Sequence, residues 1–337
     1  MPVSIYDIAK AAGVSAATVS NVLNDRGRVS EKTRVLVTRV AKEQGYVPNL
    51  NARGLRKRST KTIGIVTPDV SNDYFSSMVL DVERAMHEHG YTSFICNTWY
   101  RDAENADYID ELKQRNVDGI FFVGGEQLGD LTILEDTPCA FIDYVYPMRP
   151  KRFTIALNNI DKIVYDQTAL LIERGCTNPA LLMFHPVEKE REESVGIRGF
   201  TQSLQDHGIE FDESRLLLTT HDKTSYLVAR ERMAQKLDED AGYDGIVCVG
   251  DRTALGCCEA IQERGLALGR DIKVIGMDNS LYSRLGSIGI STVERNISRM
   301  VKFAVGTMLQ MLAGEEPEQQ ELVVPHRIIE RATTLGK

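Results

Sequence analysis

Apolar runs alternate with amphipathic stretches along most of this chain, and that alternation leaves few folds open. TIGIVTP (62–68), YTSFICN (91–97), VDGIFFVGG (117–125) and CAFIDY (139–144) have the length and continuity of buried strands, with helical spacing between them near 74–89 and 104–115. A second series follows: ALLMF (180–184), RLLLT (215–219), DGIVCVG (244–250) and IKVIGMD (272–278), with helices expected near 161–174, 194–207, 225–238 and 251–264. Strands separated by helices build parallel sheets with right-handed crossovers. Two series predict two doubly wound lobes. ISTVERN (290–296) and ELVVPHRIIER (321–331) are expected to cross back between them, placing lobe 1 at about 62–158 plus 292–321 and lobe 2 at about 159–291 plus 322–337.

The first 61 residues do not join that alternation, and their charge sets them apart. They hold twelve Lys and Arg against four Asp and Glu, a net charge of +8, whereas residues 62–337 hold 28 basic and 44 acidic residues, a net charge of −16. A cationic head on an acidic body is the asymmetry expected when one domain alone meets a polyanion. The N-terminal MPVSIYDIAKAAG lacks the build of a signal peptide and no apolar run spans a bilayer, so a cytoplasmic protein with no membrane partner is expected. Six scattered cysteines form no CxxC pair and the six histidines no HExxH spacing; free thiols, no metal and no cofactor are expected.

Three short helices are predicted in the head. Ser4 with Asp7 three positions on makes a capping box, with Ile8, Ala9 and Ala12 inward; Gly13 suits the turn that follows. Ser15 caps a second helix whose Val19, Val22 and Leu23 continue the buried stripe, leaving Ala16, Ala17, Ser20, Asn21 and Asn24 outward. Ser30 caps a third, which Gly45 ends. Helix, glycine turn, second helix is a helix-turn-helix, which lays its second helix in the DNA major groove. Caps and turn alone fit a small helical packing domain equally well; the charge tilts toward DNA. Small side chains at Ala16 and Ala17 would let the backbone approach the groove floor, Asn21 would pair with an adenine edge, and Ser15, Thr18, Ser20 and Asn24 would reach bases or phosphates.

GYVPNLNARGLRKRSTKT (45–62) follows directly. Pro48 sets an extended lead-in, Asn49 is a good N-cap, and residues 50–57 fit two turns of helix among Arg53, Arg56, Lys57 and Arg58. Eight residues with Gly54 in the middle are too few to hold a helix alone in water. The domains are therefore set at 1–48 for the helix-turn-helix, 49–61 for a hinge helix and linker, and 62–337 for the core.

IYDIAKAAGVSAATVSNVLN followed by GYVPNLNARGL resembles the lac repressor (LacI/GalR) family of bacterial transcription regulators. The resemblance implies a dimer on double-stranded operator DNA, with paired hinge helices in the minor groove. Leu55 matches the family's inserted leucine, and Asn49, Ala52, Arg53 and Arg56 surround it; such a wedge reads DNA deformability. It implies a periplasmic-binding-protein-like core with a small-molecule effector between the lobes, sugar-like or nucleoside-like, and repression as the outcome. The chain ends in RIIERATTLGK without heptads, so a homodimer rather than a tetramer is expected.

Doubly wound sheets bind ligands at the carboxyl ends of their strands. The loops there are PDVSNDYF (68–75), IDYVY (142–146), GDR (250–252) and MDNS (277–280). Asp278 matches the family aspartate that hydrogen-bonds a ligand; Tyr74 and Phe75 match aromatics that pack on it; Asp69, Asn72, Asp143, Tyr144 and Asp251 lie in matching loops. Asp251 also fits a helix-cap role and Tyr74 a core position. The family's R-x-x-G-[FY] appears as SVGIRGF, with Gly196 at the arginine's place, so Arg198 or Arg191 is the candidate replacement. Control by a phosphorylated partner protein instead of a cleft ligand is the alternative that Gly196 leaves open. A dinucleotide-dependent enzyme is disfavoured because no GxGxxG or catalytic set stands out, and a transported solute-binding protein would need export and no cationic head.

Overall fold

The computed structural model describes residues 3–23, 27–46, 59–100, 102–124, 131–143, 150–184, 196–219, 225–285 and 287–336. They fall into two compact units, Met1–Thr60 and Lys61–Lys337. The hinge stretch expected at 50–57 lies outside the described residues.

The head is three helices: α1 (Ile5–Ala12), α2 (Ala16–Leu23) and α3 (Glu31–Glu43). Its caps are reciprocal and local. The Asp7 N–H donates to Ser4 Oγ (3.3 Å) while the Ser4 N–H donates to Asp7 Oδ2 (2.9 Å), which satisfies two of the donors a helix start leaves over. Gly13 ends α1 at φ 64°, a left-handed conformation that costs a side-chain-bearing residue more. Ser15 and Ser30 accept from the N–H groups of Thr18 (3.1 Å) and Thr33 (3.2 Å). Ile8, Val19 and Val37 meet at the centre with no exposure, one from each helix. At roughly 1.5–3 kcal/mol for each fully buried side chain, such a centre offsets the marginal stability of eight-residue helices.

The larger unit holds β1 (Thr62–Thr67), α4 (Asp73–Glu88), β2 (Thr92–Asn97), α5 (Asp102–Gln114), β3 (Gly119–Val123), β4 (Cys139–Ile142) and β5 (Phe153–Leu157). It continues with α6 (Ile160–Glu173), β6 (Pro179–Phe184), α7 (Ile197–Asp206), β7 (Leu216–Thr219), α8 (Ser225–Asp238), β8 (Gly245–Cys248), α9 (Asp251–Glu263), β9 (Lys273–Ile275) and α10 (Leu281–Arg284). β10 (Thr292–Glu294), α11 (Ile297–Leu312), β11 (Glu321–Val323), β12 (Arg327–Ile329) and α12 (Ala332–Leu335) complete it. β5 and α11 are elements that the hydropathy pattern did not mark out.

The first sheet runs β11-β5-β4-β3-β1-β2 with every pair parallel, and the second runs β7-β6-β8-β9, likewise parallel. Both are covered on two faces, which is why their strands read as unbroken apolar runs. In lobe 1, Phe121 and Val123 pack toward α4 and α11, while Ile120 and Phe122 pack toward α5. In lobe 2, Ile246 and Cys248 face α8 and α9, and Val247 faces α6 and α7.

The chain passes between lobes three times, after β5, after β10 and after β11. β10 pairs antiparallel with β12 and not with the first sheet, and β11 joins the first sheet beside β5. Residues 292–294 therefore do not belong to lobe 1, and its last segment runs through β11, past the break expected at 321. One buried side chain stitches the three passages. The Asn158 amide donates to the carbonyls of Arg295 (3.1 Å) and Val324 (2.8 Å).

Gly199 shows how close the packing is. A Cβ there would lie 2.0 Å from the carbonyl oxygen of Asp161 on α6, backbone that has nowhere to move. Gly199→Ala is expected to destabilise lobe 2 by about 1–3 kcal/mol or more, as overpacking does. Urea denaturation followed by circular dichroism checks this; an unchanged midpoint would contradict it.

Candidate functional sites

In the head, the face of α2 is assembled from its caps. Ala17 and Asn21 are exposed, Thr18 and Ser20 half-buried. Ala16 differs from expectation: it is half-buried and packs against the helical core. The Ser15 hydroxyl is engaged in capping and lies 2.8 Å from Thr18 Oγ1, so these two hydroxyls hold one another. Asn24, Asn49, Ala52, Arg53, Leu55 and Arg56 lie outside the described residues.

Between the lobes, at the carboxyl ends of both parallel sheets, is a cavity of about 230 Å³. Asn72, Tyr74 and Phe75 enter from the start of α4, Asp143 from the end of β4, and Asp278 from beyond β9. Asn72 caps α4, accepting from the Tyr74 N–H (3.1 Å). Phe75 stands edge-on to Tyr74 at 5.4 Å and lies over Gly124, where a Cβ would come within 2.2 Å of its ring.

The chemistry of the cavity centres on a residue that sequence reasoning missed. Arg295, at the passage after β10, is 5% exposed and lies with its guanidinium carbon 4.5 Å from the Tyr74 ring centroid. Its Nη2 donates to Asp143 Oδ1, its Nη1 to Asp278 Oδ1 (3.3 Å) and its Nε to Asn158 Oδ1 (3.0 Å). The Tyr74 hydroxyl donates to the other Asp143 oxygen (2.9 Å), so each Asp143 oxygen has a donor. Burial opposes the charge of Arg295, but Asp143, Tyr74 and Asp278 outweigh it and keep the guanidinium protonated. Burial pushes the Asp278 carboxyl well above the ordinary carboxylate range, against the pull of Arg295. Both acids sit at positive φ, Asp143 at 55° and Asp278 at 104°, backbone that side-chain-bearing residues adopt at a cost.

A second arginine closes the mouth. Arg252, on α9, donates to the Ser71 carbonyl (3.2 Å) and lies 3.9 Å from Asp69 across the cleft. Asp69 takes part in this clasp and accepts from the Ser71 N–H (2.8 Å), but it does not line the cavity.

Two further expected effector residues lie elsewhere. Arg198 does not reach the cavity: it pairs with Asp161 (3.0 and 2.5 Å), because α7 starts with Gly196 at φ 98° and turns this side chain toward α6. Asp251 is buried beneath the cleft, accepting from Thr292 Oγ1 (2.5 Å) and the Ser280 N–H (2.7 Å), and serves the fold instead. Tyr144 and Arg191 lie outside the described residues. Among the described residues no cluster of three or more His, Cys, Asp or Glu is placed to hold a metal ion, and no helix is long and apolar enough to cross a membrane.

Asp251 makes a pH test possible. Burial raises its carboxyl from 3.8 to about 6, against its hydrogen bonds from Thr292 and Ser280. A carboxyl raised on folding binds its proton more tightly in the native state, so its stability contribution is complete below about pH 4 and is lost as pH rises through about 6. Relative to Asp251→Asn, the wild-type protein should lose unfolding free energy between about pH 4 and about pH 7. Equal pH dependence in the two proteins, measured by denaturant titration, would contradict this.

Comparison with known proteins agrees with both units. The pattern of bacterial regulatory proteins of the lacI family matches residues 4–49, and that of a periplasmic binding protein-like domain matches residues 168–334. The HTH-type transcriptional regulator DegA of Bacillus subtilis (strain 168) is 32% identical over 99% of this chain and 98% of its own length. The crystal structure of the lac repressor dimer bound to operator and the anti-inducer ONPF superposes with a TM-score of 0.78 at 25% identity, covering 99% of this chain and 100% of that one. A transcriptional regulator CelR–cellobiose complex superposes with a TM-score of 0.69 at 21% identity, covering 98% and 99%. These relatives are transcriptional regulators, not enzymes. With a helix-turn-helix head, two parallel-sheet lobes and a polar cleft between them, this chain belongs to the lacI family of DNA-binding transcriptional regulators with an effector-binding domain.

Proposed function

We propose that this protein is a repressor that binds a pseudo-palindromic operator as a homodimer, one head per half-site, under control of a small uncharged polyhydroxylated effector in the cleft. It works in the cytoplasm, where the chromosome is. The observation that carries the effector reading is the charge balance of the cleft. Arg295 neutralises Asp143, Arg252 faces Asp69, burial raises the Asp278 carboxyl, and the remaining charged group of the lining is the carboxylate of Asp73, so the cleft does not call for an anionic ligand. Aromatic faces at Tyr74, Phe75 and Phe184, beside the hydroxyls of Ser225 and Thr253, suit a polyol or sugar ring.

The dimer reading is supported by apolar side chains left in solvent on each lobe. Leu80, Ile95 and Trp99 are about half exposed or more on lobe 1, and Leu281 and Leu285 on lobe 2. A two-fold dimer would cover the same patch on both protomers and match operator symmetry. The small exposed face of α2 reads few bases, so the segment at 50–57 is assigned the added discrimination, with Leu55 as its wedge.

Selection from a random pool of duplexes tests the function. Inverted-repeat half-sites should be enriched, and Asn21→Ala should weaken the selected site by about 1–3 kcal/mol, relaxing preference at one position per half-site. Leu55→Ala should weaken the selected site far more than random DNA. No enrichment would overturn the reading, and equal losses on both DNAs would remove the wedge.

A further inference from the structure

The position expected to carry a cleft-gripping arginine in lobe 2 holds Gly196, and the nearby Arg198 is spent on Asp161. The cleft nevertheless contains a guanidinium. It enters from the passage between the lobes, and it touches both of them. Asp143 follows β4 of the first sheet; Asp278 follows β9 of the second; Arg295 pairs with each. Its Nε rests on Asn158, whose own amide holds the carbonyls of Arg295 and Val324, so the guanidinium is anchored at the point where all three passages converge.

We propose that Arg295 is a built-in interlobe tether and the positioning residue of the cleft: it holds Asp143 and Asp278 at closing distance in the effector-free protein, doing internally what a ligand gripping both lobes does from outside. This rests on the cleft being the effector site. The geometry has a specific consequence. Asp143 has both oxygens engaged, by Arg295 and by Tyr74, and serves as a brace. Asp278 has one oxygen toward Arg295 and the other toward Gly250, where a Cβ would lie 3.6 Å away, in the cavity wall. An effector thus meets one carboxyl already aimed by the tether. The Arg252 clasp is a second closure at the rim, made by a hydrogen bond to the Ser71 carbonyl and a 3.9 Å approach to Asp69. Removing the tether leaves Asp143 and Asp278 on opposite lobes with no shared donor, so the link that draws the two sheet ends together is lost.

The test uses the ligand-free full-length protein with spin labels on Glu88→Cys of lobe 1 and Gln205→Cys of lobe 2, both exposed helix positions. The described native cysteines are all buried, so labelling is selective. Labelled protomers are diluted into unlabelled ones, and the interlobe distance is read by electron–electron double resonance. Wild type should show one narrow, short distribution. Arg295→Gln should lose it in favour of longer, broader distances, while Asp161→Asn, which breaks an ion pair outside the cleft, should not. Low concentrations of guanidinium chloride, but not equal sodium chloride, should restore the short distance in Arg295→Ala, a recovery that a merely structural role would not show. A folded Arg295→Gln protein with the wild-type distribution overturns the proposal. Should Arg295→Gln fail to fold, Asp278→Ala, which removes the acceptor, decides: widening supports the tether and no change overturns it. Operator binding measured on the same preparations reports the regulator function separately, so loss of the tether with DNA binding intact would leave that function standing.

Discussion

A positive charge that is almost wholly out of water needs partners, and Arg295 dictates where they are. Leaving a guanidinium buried and unpaired costs far more than any single packing contact, so the surrounding backbone must deliver acceptors to it. Asp143 and Asp278 are delivered at positive φ, Asn158 from the first crossing, and the Tyr74 face from the start of α4. Each of these groups belongs to a different strand end or passage. The polar cleft is therefore the consequence of one charge placed where the lobes meet, and the two sheets are the scaffold that lets four distant segments reach it.

Around that point the molecule is stiff. Each lobe is a parallel sheet sealed on both faces, and close approaches such as Gly199 against Asp161 leave no slack within it. Motion between the lobes then belongs to the three passages. In such an architecture a small ligand acts by shifting a population between lobe arrangements, and only to the extent that it binds one arrangement better. A tether built from the chain's own residues sets the starting balance against which an effector works.

The sequence disclosed the lobes more readily than the cleft. Unbroken apolar runs reveal strands buried on both faces, and Ser4, Gly13, Ser15 and Ser30 mark helix boundaries through local chemistry that needs no tertiary knowledge. α11 escaped because its start carries no ordinary signal: Asn296 is in the left-handed region at φ 55° and makes no side-chain cap bond. β5 escaped because FTIAL is short and follows a basic, proline-containing stretch. Tyr74, Phe75, Asn72, Asp143 and Asp278 were expected in cleft loops and line the cavity. Arg295 was passed over because VERN looks like a frayed strand end; its role arises from partners 137 and 152 residues away, which no local pattern encodes. Arg198 was favoured for its nearness in sequence to Gly196, but the pitch of α7 points it at α6. Asp251 looked like a ligand group because it opens a helix at a strand end, yet Thr292 and Ser280 take both its oxygens.

The central claim concerns the state of one guanidinium, and it can be watched directly. In the full-length protein without effector, nitrogen-15 NMR of labelled arginine gives the water exchange of each Nε–H, with Arg295 assigned by its loss in Arg295→Lys. Buried and held by Asn158, the Arg295 Nε–H should exchange far more slowly than that of Arg270, whose side chain is 76% exposed. Exchange as fast as that of Arg270 would mean that the guanidinium stands in water and the lobes are not joined through it.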